Sequence, residues 1–318
     1  MIKPLLSICI PTYNRSKRLI NSIESIIKQP EFTPENVEIV VSDNCSPDDT
    51  QEVMKKYTDK YTNIHYFRND KNVTMENFPI VMSEAIGLFR KLSNDTCIYI
   101  EGSLNKILTL IKENEVEKPS MFFLYKKNKK NEYIYSLEKF LYSVEHYITW
   151  IGGFGLWDNE CNDIRNNTYG CAEYLWQVPL FLDTVELKKK SIVVRDKLLD
   201  IESTEKKNVF YSFYEIFYIN YLNFINVYVK KGSLSIKCYK WLEKRLLFKF
   251  FTQWMILYET QKKEYLYTES NSLIKAITET YSKKSYYPLF LVYYTMKKSV
   301  QKFKKLIKFC LTSSGIKD

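Results

Sequence analysis

Residues 6–44 read LSICIPTYNRSKRLINSIESIIKQPEFTPENVEIVVSDN, and this stretch decides the predicted fold. The apolar runs 6–10 and 37–41 predict two strands, and the residues between them carry apolar side chains at helical spacing. The stretch is therefore one strand–helix–strand unit of a parallel sheet. Polar residues follow both strands. Open parallel sheets bind ligands at the carboxyl ends of their strands, so this edge is the predicted site.

Two short motifs at these strand ends indicate a family. They are IPTYNR at 10–15 and VVSDNCS at 40–46. In order and spacing they resemble the opening of the family 2 glycosyltransferases with a GT-A fold, of the bacterial surface-polysaccharide type. The resemblance implies an α/β, Rossmann-like fold in which a mixed, mainly parallel sheet is flanked by helices. It also implies transfer of a sugar from a nucleotide-diphosphate donor, such as a UDP-sugar, with inversion.

The composition indicates the charge of the binding partner and the cellular compartment. The 47 Lys and Arg residues exceed the 37 Asp and Glu residues, and the formal net charge of +10 favours an anionic partner. The seven cysteines form no CxxC pair, a pattern typical of reduced thiols in a cytoplasm. Pro11 stops the short N-terminal apolar run, so no signal peptide is predicted, and no apolar stretch is long enough to span a bilayer.

The pattern beyond the first unit predicts further elements. We expect a third strand over 63–69, a helix over 78–92 and a fourth strand over 96–101. We also expect a strand over 148–153 and, within 169–182, a helix that continues until Pro179. The order of elements and motifs matches the family through the fourth predicted strand. Beyond that strand no specific motif of the family is matched.

The last third of the chain is helical in pattern. We therefore predict two parts of the chain: a nucleotide-sugar-binding catalytic domain, 1–205, and a helical region, 206–318. The final helix has one apolar face, formed by Met296, Val300, Phe303, Leu306, Ile307 and Cys310. Its remaining surface carries six lysines between Lys297 and Lys308 without an acidic residue. A basic amphipathic helix of this kind fits an anionic membrane surface. The alternative is a helix packed on the protein body.

The resemblance assigns the predicted nucleotide site residue by residue. Its members are Pro11, Thr12, Tyr13, Asn14, Arg15, Asp43, Asn44 and Arg68. Asp43 can accept the imide N–H of a uracil or a comparable base edge, Thr12 and Tyr13 can form the pocket wall, and Arg68 can reach ribose or phosphate. The alternatives are structural: Asp43 can be a turn or cap residue, and an arginine on a loop can simply be solvated.

The metal motif of the family is degenerate in this chain. Most members follow the fourth strand with an Asp-rich triplet that holds Mg²⁺ or Mn²⁺ against the diphosphate. Residues 100–105 instead read IEGSLN, so Glu101 is the candidate carboxylate ligand and Ser103 could supply a weak oxygen ligand. The alternative is that the metal site is lost and that Arg68, Lys71 or Lys106 neutralises the leaving diphosphate.

An inverting transfer needs a general base near the acceptor hydroxyl. By resemblance we place it at Glu173, in the segment GCAEY at 170–174. Asp158, Glu160 and Asp163 on the preceding loop are competitors. Tryptophans cluster in the same region, at 150, 157 and 176, where they can pack on sugar rings or belong to the core.

The predicted function is transfer of a sugar to a glycan or lipid-linked glycan during polysaccharide biosynthesis. The protein is then cytoplasmic, at or near the inner face of the membrane. One alternative is a non-catalytic GT-A homologue that scaffolds a partner transferase, which the degenerate metal motif favours. A nucleic-acid-binding protein is the second alternative. It is disfavoured because the aromatic residues form no known RNA- or DNA-binding motif.

Overall fold

The computed structural model describes residues 3–202, 212–260 and 270–313, with the backbone alone at 258–260, 270–272 and 303–313. The chain divides into two compact units. Unit 1 comprises Met1–Thr204 and Lys230–Leu234, and unit 2 comprises Glu205–Val229 and Ser235–Asp318.

Unit 1 alternates strands and helices. Its strands are β1 Leu6–Thr12, β2 Val37–Asp43, β3 Ile64–Arg68, β4 Phe89–Leu92, β5 Cys97–Tyr99, β6 Ser120–Phe123, β7 Glu132–Ile134, β8 Gly155–Trp157, β9 Ser191–Val194 and β10 Leu199–Ile201. Its helices are α1 Ser16–Ile27, α2 Thr50–Lys60, α3 Asn77–Glu84, α4 Ser103–Asn114, α5 Leu137–Val144 and α6 Gln177–Lys188.

The main sheet has the strand order β3-β2-β1-β4-β8. The first four strands are parallel, and β8 runs antiparallel to β4. All residues of β1 and β2 are buried, because helices and loops cover both faces of a parallel sheet. Parallel pairing brings the carboxyl ends of β1, β2, β3 and β4 to one edge. The predicted α/β fold with a mixed, mainly parallel sheet is confirmed.

Two smaller sheets complete unit 1. Strand β5 pairs antiparallel with β10, and β9 lies between β6 and β7, parallel to the first and antiparallel to the second. Apolar residues of β5, β6 and β9 join the same buried cluster as those of β1 and β2. The smaller sheets therefore extend one continuous core.

The fourth parallel strand lies earlier in the chain than predicted. The helix predicted over 78–92 ends at Glu84, and 89–92 forms β4, while the predicted strand over 96–101 is reduced to β5 in a separate sheet. The helix ends because the backbone is already extended at Ala85, and Gly87 then passes close to β1, where a Cβ would lie 2.3 Å from Ser7 Oγ. Lys91 concealed the strand, because a lysine is unusual inside a core.

Two later predictions were also wrong. Residues 148–153 form 3₁₀ turns, Glu145–Thr149 and Ile151–Gly153, rather than a strand. Residues 169–174 form turns, and α6 begins only at Gln177. Pro179 lies in the first turn of α6 and does not end the helix, because the backbone N–H that proline lacks has no intrahelical acceptor there.

Unit 2 is helical over its described residues. It contains α7 Tyr221–Lys230, α8 Ile236–Arg245, α9 Thr252–Thr260, α10 Ser270–Tyr281 and α11 Tyr287–Ser313, and π-helical turns at Glu215–Asn220 and Leu246–Phe251. Buried Glu243 accepts hydrogen bonds from Tyr218 Oη at 3.0 Å and from Lys284 Nζ at 2.8 Å. This carboxylate links α8 to the first π-helical turn and to the segment before α11. Across residues 3–202, 212–260 and 270–313, the helices lack the combination of length and apolar character that crossing a bilayer requires.

Candidate functional site

Backbone contacts hold the loops after β1 and β2 together. Asn44 N donates to Thr12 O at 2.9 Å, and Asn14 N donates to Ser46 Oγ at 2.8 Å. Asn14 and Cys45 adopt left-handed backbone conformations, with φ of 54° and 64°. The two predicted motifs therefore form one joined surface at the carboxyl edge of the sheet.

Asp43 lies at the centre of this surface and is fully buried. Its Oδ1 accepts a hydrogen bond from Ser46 N at 2.9 Å. Its Oδ2 accepts from Tyr66 Oη at 2.7 Å and from Arg68 Nη1 at 2.9 Å. Burial raises the pKa of Tyr66, and its hydrogen bond to the Asp43 carboxylate raises it further. Asp43 thus fixes both the turn after β2 and the position of Arg68.

A second carboxylate, Asp95, was missed by sequence reasoning. It follows β4 and lies across the site from Asp43, with its side chain 2% exposed. Its Oδ2 accepts from Thr12 Oγ1 and its Oδ1 from Arg15 Nη1, both at 3.1 Å. The signal was present as an acidic residue just after an apolar strand. It was overlooked because the four-residue β4 was read as part of a helix.

The site therefore contains two ion pairs of the same design, Arg68–Asp43 and Arg15–Asp95. The carboxylates are 0% and 2% exposed, whereas the arginine side chains are 32% and 34% exposed. The acids face the protein and the guanidinium groups reach solvent. Guanidinium N–H groups bind phosphate oxygens well, so this edge is suited to an anionic, phosphate-bearing ligand.

Asparagine side chains build the wall beside β2 and β3. Asn44 Nδ2 donates to Asn72 Oδ1 at 2.9 Å, and Asn69 Nδ2 donates to Asn77 Oδ1 at 2.9 Å. Asn77 is buried, and its Nδ2 donates to Ser42 O at 2.9 Å. The network ties the polar turn after β3 to the end of β2. Asn44 thus has a structural role, because its side chain holds the turn after β3 against the end of β2.

The metal prediction rested on a wrong strand assignment. Glu101 is exposed and follows β5, outside the main sheet, whereas β4 is followed by Ser93-Asn94-Asp95. Asp95 is the one carboxylate of that triplet, and both of its oxygens are engaged. No group of three or more His, Cys, Asp or Glu side chains suited to a metal occurs among the described residues. Within the described residues, the carboxylates that follow β2 and β4, Asp43 and Asp95, have all four oxygens hydrogen-bonded and offer Mg²⁺ or Mn²⁺ no uncommitted ligand.

Glu173 lies on a turn and is partly buried. Burial, together with the charges of Glu76 and Glu173, raises the pKa of the Cys171 thiol to about 12. Glu76 and Glu173 therefore both interact electrostatically with Cys171.

The competing carboxylates on the preceding loop have structural partners. Burial opposes ionisation of Asp158, but hydrogen bonds from Lys118 and Lys3 outweigh it and lower its pKa to about 2. Glu160 binds Lys188 Nζ at 2.9 Å and accepts from Trp157 N. Asp163 accepts from Asn166 Nδ2. Asp158 and Glu160 are thus held in ion pairs with lysines of unit 1.

The tryptophan cluster belongs mainly to the core. Trp157 and Trp176 are fully buried and form edge contacts with Phe89 and Phe154, respectively. Their indole N–H groups donate to Pro119 O and Asn167 O. Trp150 is partly buried and packs against the core cluster that contains Trp157.

Comparisons with known proteins agree with this fold and with a site at the carboxyl edge of the main sheet. The profile described as Glycosyl transferase family 2 matches residues 7–172, which is more than half of the chain. The chain belongs to this family. The match includes both strand-end motifs, Asp95 and Arg68.

Two curated relatives match shorter stretches. Abequosyltransferase RfbV of Salmonella typhimurium is 40% identical over 85 residues, which cover 26% of this chain and 25% of the relative. GalNAc(5)-diNAcBac-PP-undecaprenol beta-1,3-glucosyltransferase of Campylobacter jejuni is 33% identical over 107 residues, covering 33% of this chain and 34% of the relative. The matches thus span about a quarter and about a third of these relatives' lengths.

Solved structures share the fold at low identity. Staphylococcus aureus TarS 1–349 in complex with UDP-GlcNAc superposes with a TM-score of 0.57 at 18% identity, covering 79% of this chain and 78% of that one. Mannosyltransferase PcManGT of Pyrobaculum calidifontis, in complex with GDP-Man and Mn²⁺, superposes at 0.52 with 12% identity, covering 95% and 88%. Both are GT-A glycosyltransferases, so the predicted fold class is confirmed.

Proposed function

We propose that this chain is a glycosyltransferase that moves a sugar from a nucleotide-diphosphate donor to a glycan or lipid-linked glycan in bacterial surface-polysaccharide biosynthesis. The observation that carries the proposal is the pair of buried carboxylates, Asp43 and Asp95, that hold Arg68 and Arg15 toward solvent at one sheet edge. Family membership and the names of the relatives support it. The loop motifs after β1 and β2 supply the remaining donor contacts.

The chemistry assigned to these residues is an inverting displacement. The acceptor hydroxyl attacks the anomeric carbon while the bond from that carbon to the diphosphate oxygen breaks, and the electron pair leaves with the diphosphate. Glu173 is the base that takes the hydroxyl proton. Arg15 and Arg68 stabilise the negative charge that develops on the leaving diphosphate.

The test is calorimetric binding of a panel of nucleoside diphosphates, followed by assays of donor hydrolysis and transfer. We expect one nucleotide to bind best and its sugar conjugate to be turned over. Failure of the whole panel to bind would reject the donor assignment. Binding without hydrolysis or transfer to any acceptor would instead support a non-catalytic scaffold, which the single carboxylate at the end of β4 favours.

We also propose peripheral contact of α11 with the inner face of the cytoplasmic membrane. Four apolar side chains spaced three or four residues apart are more than half exposed: Leu289 60%, Val292 59%, Met296 64% and Val300 53%. Lys297 and Lys302 are exposed on the same helix, which contains no acidic residue. The side chains predicted to continue this face, from Phe303 to Cys310, lie outside the described residues.

A further inference from the structure

Two hydroxyl groups in the candidate site bind the same buried aspartates as the arginines do. Thr12 is 3% exposed, and its Oγ1 donates to Asp95 Oδ2 at 3.1 Å. Tyr66 is partly buried, and its Oη donates to Asp43 Oδ2 at 2.7 Å. Each carboxylate therefore has a neutral hydroxyl donor in addition to a charged guanidinium donor. Because each hydroxyl proton is committed to a carboxylate, neither hydroxyl can donate to a ligand.

At Asp95 the two carboxylate oxygens have different donors. Oδ2 accepts from Thr12 Oγ1, and Oδ1 accepts from Arg15 Nη1 at 3.1 Å. Across residues 3–202, 212–260 and 270–313, the Arg15 side chain has no second hydrogen bond or ion pair. The guanidinium group of Arg15 is therefore held through one nitrogen, and its other N–H groups stay available to a phosphate.

Arg68 is held in a similar way beside Asp43. Its Nη1 donates to Asp43 Oδ2 and to Ser46 O, both at 2.9 Å. Its Nη2 contacts only the Cys45 sulfur, at 3.7 Å, and in the part of the chain that the structure describes its Nε has no acceptor. Tyr66 shares Oδ2 with Arg68, so this oxygen has two donors. Nη2 and Nε of Arg68 thus have no strong acceptor and can bind phosphate oxygens.

Strands fix the positions of both hydroxyl groups. Thr12 is the last residue of β1, and its carbonyl oxygen accepts from Asn44 N at 2.9 Å. Tyr66 and Arg68 are two residues apart on β3, so their side chains leave the same face of the strand, beside Asp43 of β2. Groups on strands are held more precisely than groups on loops. The two hydroxyl groups are thus suited to orient the aspartates.

Loss of the Thr12 hydroxyl would leave Asp95 Oδ2 without its donor inside the protein. A buried carboxylate oxygen without a donor raises the free energy of the folded state. Arginine readily binds both oxygens of a carboxylate in a bidentate pair, so the Arg15 guanidinium would turn toward Oδ2 as well. Arg15 would then offer fewer N–H groups to a phosphate.

We propose that Thr12 and Tyr66 are positioning residues for the donor diphosphate. Their hydroxyl groups occupy the buried aspartates and thereby keep Arg15 and Arg68 directed toward solvent, where the diphosphate binds. The inference rests on the proposed function, because that function supplies the diphosphate. The alternative is that the hydroxyl groups only stabilise the fold by satisfying buried carboxylates. In that case their loss would affect all ligands alike.

The experiment is calorimetric binding of the best-binding nucleoside diphosphate, and of its nucleoside by displacement, to the full-length protein in EDTA. Thr12→Val removes the hydroxyl group and keeps the shape of the side chain, whereas Thr12→Ser keeps a hydroxyl. Tyr66→Phe removes the second hydroxyl. The matched controls are Tyr57→Phe, which removes a hydroxyl that donates to Glu24 Oε1 at 2.8 Å, and Thr184→Val in α6.

We expect Thr12→Val and Tyr66→Phe each to weaken binding of the nucleoside diphosphate by about tenfold, which corresponds to about 1.4 kcal/mol. Affinity for the nucleoside should change by less than about twofold, because the nucleoside carries no phosphate. Thr12→Ser should recover most of the loss. Both control proteins should bind both ligands as the native protein does.

A double-mutant cycle tests whether Thr12 acts through Arg15. In the Arg15→Ala protein, adding Thr12→Val should change affinity for the nucleoside diphosphate little, because the group that the hydroxyl positions is gone. The same expectation applies to Tyr66→Phe in the Arg68→Ala protein. A hydroxyl with a structural role alone would give the same loss in both backgrounds.

Four results would overturn the inference. Unchanged diphosphate affinity in Thr12→Val and Tyr66→Phe would do so while the proposed function stands. Equal losses for nucleoside and diphosphate would assign the hydroxyl groups to the fold, and so would an undiminished effect of Thr12→Val in Arg15→Ala. Failure of the native protein to bind any nucleoside diphosphate would reject the proposed function and the inference with it. If Thr12→Val does not fold, Tyr66→Phe carries the same test at the other aspartate.

Discussion

Two aspartates, Asp43 and Asp95, organise the candidate site without facing solvent. Each is buried and holds an arginine that is about one-third exposed. A carboxylate in this position orients a guanidinium group and limits its motion, so less entropy is lost when the arginine binds a ligand. Both aspartates therefore act mainly through their arginines.

Replacing Asp43 with alanine should weaken nucleotide binding by about 1–3 kcal/mol, because Arg68 and the backbone N–H of Ser46 lose their shared acceptor. Calorimetry with the best-binding nucleotide measures the loss. Asp59→Ala, at an exposed ion pair with Lys55, is the control. Unchanged affinity in a folded Asp43→Ala protein would remove Asp43 from the site.

Activity should depend little on divalent metal, because Asp95 already binds Arg15 and Thr12 and no carboxylate cage occurs among the described residues. EDTA should leave most of the transfer or hydrolysis rate. Arg15→Ala should weaken donor binding in EDTA, while Arg18→Ala, one turn along α1, should not. Loss of activity in EDTA with recovery in Mn²⁺ would contradict this prediction.

Lys91 gives the stability of unit 1 a predictable pH dependence. It is fully buried, its Nζ donates to Gly152 O, and burial lowers its pKa from 10.5 to about 8. Between these values the unfolded chain binds the proton and the folded chain does not, so stability rises with pH. A neutral side chain at this position removes that contribution.

The free energy of unfolding of the native protein, measured relative to Lys91→Met, should therefore increase from about pH 8 to about pH 10.5 by up to about 3 kcal/mol. Urea unfolding of both proteins across this range measures the difference. Lys112→Met on the exposed face of α4 is the control. A difference that is constant with pH would show that Lys91 keeps its ordinary pKa.

At the scale of elements, helix α11 is notable because several of its large apolar side chains are exposed to solvent. Leu289, Val292, Met296 and Val300 fall within one face of the helix at 100° per residue. Phe290 on the same helix is buried and packs on Phe248. The helix is thus anchored in unit 2 by one face and presents another.

Full-length protein should sediment with phosphatidylglycerol vesicles at low salt and be released partly at high salt. Replacing Leu289, Val292, Met296 and Val300 with serine should reduce recovery at both salts, because insertion of apolar side chains is lost while the lysines remain. Val116→Ser/Leu187→Ser, at exposed apolar residues of unit 1, is the control. Equal recovery for all proteins would exclude α11 as the contact.

At the scale of the whole molecule, the two units separate ligand chemistry from helical packing. Every residue of the candidate donor site lies in unit 1, while unit 2 is organised around Glu243. A change at Glu243 should therefore affect stability and spare nucleotide binding.

Glu243→Gln should lower the free energy of unfolding by about 1–3 kcal/mol, because Lys284 loses its charge partner and Tyr218 loses a strong acceptor. Thermal unfolding and nucleotide calorimetry on the same protein measure both effects. Glu279→Gln, at an exposed ion pair with Lys275, is the comparison. A loss of nucleotide affinity in a folded Glu243→Gln protein would contradict this separation.

The sequence alone determined the strand–helix–strand unit, the α/β fold, the family and the placement of Asp43 at a strand end. These follow from local apolar periodicity and from motifs within 40 residues of one another, which need no knowledge of distant contacts. The helical character of the last third followed from the same periodicity.

Only the tertiary structure decided what surrounds those residues. Asp95 meets Thr12 and Arg15 across about 80 residues of chain because β4 pairs with β1, and β4 itself was hidden by the charge of Lys91. That charge is tolerated through an acceptor, Gly152 O, that lies 61 residues away. Local sequence patterns do not reveal contacts between residues that are far apart in the chain. Those contacts determine which carboxylates bind arginines and which apolar faces stay exposed.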